Sequence, residues 1–171
     1  MKKLYNEVGL NGAEYKKGQW QEIAVHNENE IRGFFGPYLF LSNFWPARVM
    51  LDGVEYGSVE VAFQAAKWQP QDREYFLTCT EKDSIAHNRE NNPNLYTAEQ
   101  WDAIKVEVMR GLVKQKFDKN LNPDNYAKLI ETGDKFLEEK NWWGDIFWGV
   151  DLNGEGRNNL GKILMEVRSQ S

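Results

Sequence analysis

A chain of 171 residues with 41% hydrophobic and 27% charged residues is long enough to bury one substantial core and short for two ordinary domains. Its net charge of −5 argues against a broad electrostatic grip on nucleic acid, which needs a basic surface to displace counterions. One cysteine and two histidines exclude an internal disulfide and a zinc site of the multi-cysteine kind, and no apolar run approaches the roughly 18 residues of a membrane span.

Residues 1–32 are polar and mixed and read as an N-terminal extension packed on a domain covering 33–171. No apolar stretch follows Lys2 and Lys3, so a secretion signal is not expected and the cytoplasm is the expected compartment. Within the extension, Gln21–Val25 is the best strand candidate. The aromatic segment Phe34–Pro46, broken by Gly36 and Pro37, predicts irregular structure with short strands. Ala47–Leu51, Asp52-Gly53 and Val54–Tyr56 then spell a hairpin, because Asp-Gly accepts the positive φ angles of a type I′ turn.

A helix follows directly, with Ser58 as its N-cap. It places Glu60, Gln64 and Lys67 at i, i+4 and i+7, on one narrow stripe. Val59, Val61, Phe63 and Trp68 flank the stripe, while Ala62, Ala65 and Ala66 make the opposite face. Charges in the middle of the bulky apolar arc are expected to line a pocket. A stripe facing water, with Glu60 and Lys67 complementing the helix dipole, would give the same periodicity.

Two short helices joined by a polar segment are predicted over Asp72–Asn91, then a loop to Asn94. Thr97-Ala98-Glu99-Gln100 is a capping-box pattern opening the longest helix, at about 98 to 118, with Trp101, Ile104, Val108, Met109, Leu112 and Val113 on its core face. Another helix covers 124–131, stopped by Gly133, and an amphipathic helix closes the chain from Asn159. Cys79 reads as a small core residue. The fold class is α+β, a mostly helical single domain with a small β element in the N-terminal third.

Besides Glu60, two further features can carry chemistry. Trp101 opens the long helix. Asp145 sits among Trp142, Trp143, Ile146, Phe147 and Trp148, where a carboxylate must find hydrogen bonds or lose several kcal/mol to desolvation; capping a helix or closing a loop would explain it equally well. The loop Asn153–Asn159, with Gly154, Gly156 and Arg157, feeds the last helix and offers backbone N–H groups to an anion, or is simply a turn.

Taken in order, Ser42-Asn43-Phe44, Asp52-Gly53, Ser58-Val59-Glu60-x-x-Phe63-Gln64-x-x-Lys67, Trp101 with Met109 and Lys116-Phe117, Asp145-x-x-Trp148-Gly149 and Gly156-x-Asn158-x-Leu160-Gly161-x-x-Leu164-Met165-x-x-Arg168 resemble the NADAR superfamily, the YbiA-like proteins. The resemblance implies an N-glycosidase that hydrolyses the bond between a ribose carbon and a nitrogen. The implied substrate is a phosphorylated riboside, such as a ribosylamino-pyrimidine phosphate of riboflavin synthesis, or an ADP-ribose conjugate such as ADP-ribosylated guanine, with ADP-ribosylated nucleic acid an open partner. It implies Glu60, Asp145 and Trp101 as the catalytic set. No metal or redox cofactor is required by that chemistry, and no membrane partner is expected.

Around that set, Asn43, Phe44, Gln64, Lys67, Arg89, Trp148, Arg157 and Asn158 are the candidate substrate-binding residues, with Lys67, Arg89 and Arg157 as phosphate partners. The chain departs from relatives at Val61 and Ala62, often His and Tyr, and at Asn88-Arg89, usually Gly-Arg. A module that binds NAD or ADP-ribose derivatives without turning them over is the rival reading, and a partner-binding domain with exposed tryptophans a third.

Overall fold

The computed structural model describes residues 19–170, so the first 18 residues of the expected N-terminal extension lie outside the described residues. In chain order the elements are β1 (Val25–His26), β2 (Glu30–Arg32), β3 (Pro46–Leu51), β4 (Val54–Ser58), α1 (Val59–Ala65), α2 (Glu81–Glu90), α3 (Ala98–Lys116), α4 (Pro123–Glu131), β5 (Phe136–Glu138) and α5 (Asn159–Ser169), with short 3-10 turns between several of them. The α+β class expected from the sequence is what forms. Among the described residues no helix is long and apolar enough to cross a membrane.

The described residues divide into two compact units, one of residues 43–131 and one of residues 19–42 together with 132–170. The first is built on the β3–β4 hairpin, whose turn residues Asp52 and Gly53 have φ of 50° and 81°, as the type I′ reading requires. Ser58 ends β4 and caps α1, its Oγ accepting from Val61 N at 3.3 Å. Helices α2 and α3 both pack on α1, and α3 also packs on β3.

Helices α2 and α3 both start at capping boxes, Thr80 with Asp83 and Thr97 with Gln100, as the sequence shows for the second. Met109, Leu112 and Val113 of α3 are buried, worth about 1.5–3 kcal/mol each for the larger side chains. The turn of the hairpin is tied to the chain beyond α1 by Arg73. Its guanidinium donates to Trp68 O at 2.9 Å and to Asp52 Oδ2 at 2.6 Å.

The second unit holds a three-stranded sheet in the order β1-β2-β5, antiparallel then parallel, with Ile31 opposite Leu137. Arg32 bridges Glu30 and Glu138 across this sheet at 2.7 and 3.0 Å. Helix α5 packs on β5 through Leu160, Gly161, Ile163 and Leu164, all buried.

Two expectations are corrected here. Gln21–Val25 is not a strand: Gln19–Glu22 forms a 3-10 turn, and Trp20 O accepts from Ile23 N and Ala24 N, so the ladder begins only at Val25. The aromatic segment holds no strand before Pro46; Gly36–Leu41 is a 3-10 helix whose early Pro37 supplies a helical φ and lacks an N–H that would be unsatisfied there.

Candidate functional site

Helix α1 is buried on almost every side. Of its seven residues only Glu60 is not buried, so the alanine face and the bulky face are both covered and the carboxylate marks the one line open to solvent. Alanines let neighbouring backbone approach closely, which is how a short helix can be enclosed by β3, β4, α2 and α3 at once. Glu60 N donates to Asn43 O at 3.1 Å, which ties the first turn to the preceding loop.

The stripe read from the sequence is a hydrogen-bonded chain. Gln64 Nε2 donates to Glu60 Oε1 at 2.7 Å, and Lys67 Nζ donates to Gln64 Oε1 at 2.6 Å. The Lys67 ammonium lies 5.3 Å from the Phe63 ring centroid and 5.6 Å from that of Trp101. Those rings are 5.1 Å apart, and the Tyr96 ring lies 5.9 Å from that of Trp101. Burial pushes the Lys67 amine below its ordinary range; the Glu60 carboxylate opposes that shift and the Lys105 ammonium adds to it.

Asn88, which no sequence signal singled out as a site residue, joins this chain from α2. Its Nδ2 donates to Gln64 Oε1 at 2.6 Å and to Gln64 O at 3.2 Å, and its Oδ1 accepts from Trp68 Nε1 at 2.5 Å. Arg89, the next residue, is exposed in the last turn of α2.

Asn43 is buried, with 8% of its surface exposed; its Nδ2 contacts Met109 Sδ at 3.3 Å, and its Oδ1 has no hydrogen-bond partner among the described residues. An acceptor left so costs about 1–3 kcal/mol, a deficit that a bound hydroxyl or water would relieve. Phe44 follows it, half-buried, at the entrance to β3.

The remaining candidates stand in the other unit. Asp145 is half-buried and closes its loop: its Oδ1 accepts from Phe147 N at 3.1 Å and Trp148 N at 2.9 Å, while Asn141 Oδ1 holds its own N–H at 3.0 Å. The Trp148 ring stands edge-on to Phe147 at 5.0 Å. Arg157 is exposed, with its guanidinium 5.2 Å from the Phe147 ring centroid.

Asn158 takes a left-handed backbone at the start of α5, with φ of 49°. Both ends of its side-chain amide are spent on backbone, Oδ1 accepting from Glu139 N at 3.1 Å and Nδ2 donating to Leu137 O at 3.0 Å. Its contribution is to pin β5 to the last helix. Among the described residues no three His, Cys, Asp or Glu side chains gather in a group that would hold a metal ion.

A family model described as the NADAR domain matches residues 27–170. A riboflavin biosynthesis protein of Vibrio vulnificus is 34% identical over 150 residues, covering 88% of this chain and 38% of that protein, so the chain spans about two fifths of this relative's length. An N-glycosidase of Nostoc punctiforme is 32% identical over 139 residues, with 78% of this chain and 86% of that protein covered. The N-glycosidase YbiA of Escherichia coli is 30% identical over 155 residues, covering 88% of this chain and 94% of that protein. An NMR structure of the E. coli YbiA superposes with a TM-score of 0.71 at 28% identity, covering 86% of this chain and 88% of that one.

Proposed function

The chain belongs to the NADAR family, and we propose that it is an N-glycosidase that hydrolyses a ribosyl C–N bond in a phosphorylated riboside, such as a ribosylamino-pyrimidine phosphate, or in an ADP-ribose conjugate such as ADP-ribosylated guanine. One observation carries the reading: Glu60 is the sole residue of α1 left open to solvent, and Gln64 holds one oxygen of its carboxylate in place.

Breaking a ribosyl C–N bond builds positive charge on the sugar. A carboxylate held in advance stabilises that charge, or takes the proton of the water that captures it. We assign this work to Glu60. Nearby in the same unit, Lys67 carries positive charge against the Phe63 and Trp101 rings and suits a phosphate oxygen, while Trp101 offers a ring face to the leaving base. Asn43 Oδ1, buried and without a hydrogen-bond partner among the described residues, is the acceptor proposed for a sugar hydroxyl.

Asp145 keeps the family-implied role of orienting ribose hydroxyls or sharing the base work, exercised through Oδ2, since Oδ1 already holds two backbone N–H groups. Trp148, Phe44, Arg89 and Arg157 remain binding candidates. Asn158 is withdrawn from that set because both ends of its amide serve the fold.

The test is to incubate wild type and Glu60→Gln with a ribosylamino-pyrimidine phosphate and with ADP-ribosylated guanine, and to assay free ribose 5-phosphate and ADP-ribose. Wild type should release one of them, and Glu60→Gln should lose roughly 10²- to 10⁴-fold in kcat with little change in ligand affinity. Ligand that binds wild type tightly and is never turned over would replace the enzyme reading with that of a binding module.

A further inference from the structure

The amides around Glu60 have a direction, and two donor-only groups set it. An indole N–H and an ammonium cannot accept a hydrogen bond, so each forces an oxygen toward itself. Trp68 Nε1 is bonded to Asn88 at 2.5 Å, which makes that atom of Asn88 the oxygen and turns its NH2 toward Gln64. Lys67 Nζ is bonded to Gln64 at 2.6 Å, which makes that atom the oxygen as well. Gln64 Oε1 thus receives two donors, and its Nε2 is left to donate to Glu60 Oε1 at 2.7 Å.

From this geometry we propose that Asn88 is a positioning residue: fixed by Trp68, it holds the Gln64 amide with its NH2 toward Glu60 and so keeps the carboxylate in its reacting geometry. The proposal rests on the N-glycosidase reading and on Glu60 as its carboxylate. Neither the family model nor the relatives' names assign a role to this position. A Gln64 amide turned the other way would set its carbonyl against the carboxylate and push Glu60 away, and a misplacement of 1 Å can cost on the order of 100-fold in rate.

Asn88 lies on α2 and Gln64 on α1, which pack together, so the relay also couples the placement of Glu60 to the seat of α2. Asn88→Asp separates orientation from packing. The aspartate has the same shape and keeps an acceptor for Trp68 Nε1, but it presents a second oxygen to Gln64 Oε1. That clash favours reversal of the Gln64 amide.

The experiment compares wild type, Asn88→Asp, Asn88→Ala, Gln64→Leu and the Asn88/Gln64 double variants, with a ribosylamino-pyrimidine phosphate and ADP-ribosylated guanine as probes and thermal unfolding measured alongside. Asn88→Asp should lower kcat on the order of 10- to 100-fold while KM moves less than about threefold. It should be catalytically worse than Asn88→Ala and yet unfold at a higher temperature, because it keeps the Trp68 bond. In the Gln64→Leu background, either change at Asn88 should lower kcat no further, since the residue acts through Gln64.

A kcat within twofold of wild type for Asn88→Asp overturns the proposal, as do kcat losses that multiply in the double variants or that simply follow unfolding temperature. If Asn88→Asp does not fold, Asn88→Ala in the same cycle with Gln64→Leu decides by the same rule. The two levels separate through Glu60→Gln: full activity in that variant removes the carboxylate assignment and the positioning proposal with it, whereas an inactive Glu60→Gln beside an unaffected Asn88→Asp removes only the latter.

Discussion

Replacing Gly161 by alanine sets two effects of opposite sign against each other, and the structure decides between them. Within α5 the substitution should help, since alanine is favoured over glycine in a helix interior by about 1 kcal/mol. A Cβ at this position, however, would collide with Leu137 O of β5 and with the side-chain amide of Asn158. Relief requires α5 to lift from β5, or the Asn158 amide to leave Leu137 O and Glu139 N.

Overpacking of this kind costs about 1–3 kcal/mol. The two amide bonds are worth about 0.5–1.5 kcal/mol each. Against the helical gain, Gly161→Ala should be net destabilising by about 1–5 kcal/mol, or about 2 to 20 °C in Tm for a chain of this size. Urea unfolding followed by circular dichroism measures it. A variant as stable as wild type, or more so, would refute the claim that α5 sits on β5 at glycine distance.

Lys67 should leave a signature in the pH dependence of stability. Its folded-state value lies below the ordinary lysine range through burial, so between that value and the unfolded value of 10.5 the unfolded chain binds more protons and stability rises with pH. Denaturant midpoints between neutral pH and pH 10 should therefore climb more for wild type than for Lys67→Met, and equal slopes would contradict the burial argument. The Cys79 thiol is pushed up to about 11, mainly by burial, so it should react with iodoacetamide at pH 8 at least tenfold more slowly than free cysteine, and faster reaction would mean the side chain is accessible as thiolate. Asp52→Asn keeps a residue that tolerates positive φ while removing the charge that faces Arg73, itself only 7% exposed. It should cost about 1 kcal/mol at low salt and less at 1 M salt; a salt-independent loss would assign the effect to the turn backbone instead.

What the sequence determined by itself was whatever is fixed by neighbours along the chain. The Asp52-Gly53 turn, the Ser58 cap and the Thr97–Gln100 box set the hairpin, the start of α1 and the start of α3, because each is a bond between residues at most a few positions apart. The spacing of Glu60, Gln64 and Lys67 likewise followed from helical periodicity. The 3-10 turns at Gln19–Glu22 and Gly36–Leu41 escaped it, since apolar and aromatic runs that short fit a strand or a tight helix alike.

Tertiary structure decided the rest. A stripe of side chains has no preferred amide direction; Asn88 arriving from α2 and Trp68 from beyond α1 gave Gln64 its orientation, and with it the donor on Glu60. Packing likewise divided the two acidic candidates, as Asp145 spends one oxygen on its own loop while Glu60 meets a side chain that is itself held. The parallel pairing of β2 with β5 and the glycine-close seat of α5 were equally out of reach, because the first joins residues about a hundred positions apart and the second joins Gly161 to Leu137 across a long loop, and periodicity carries no record of which distant segment will fill a given face.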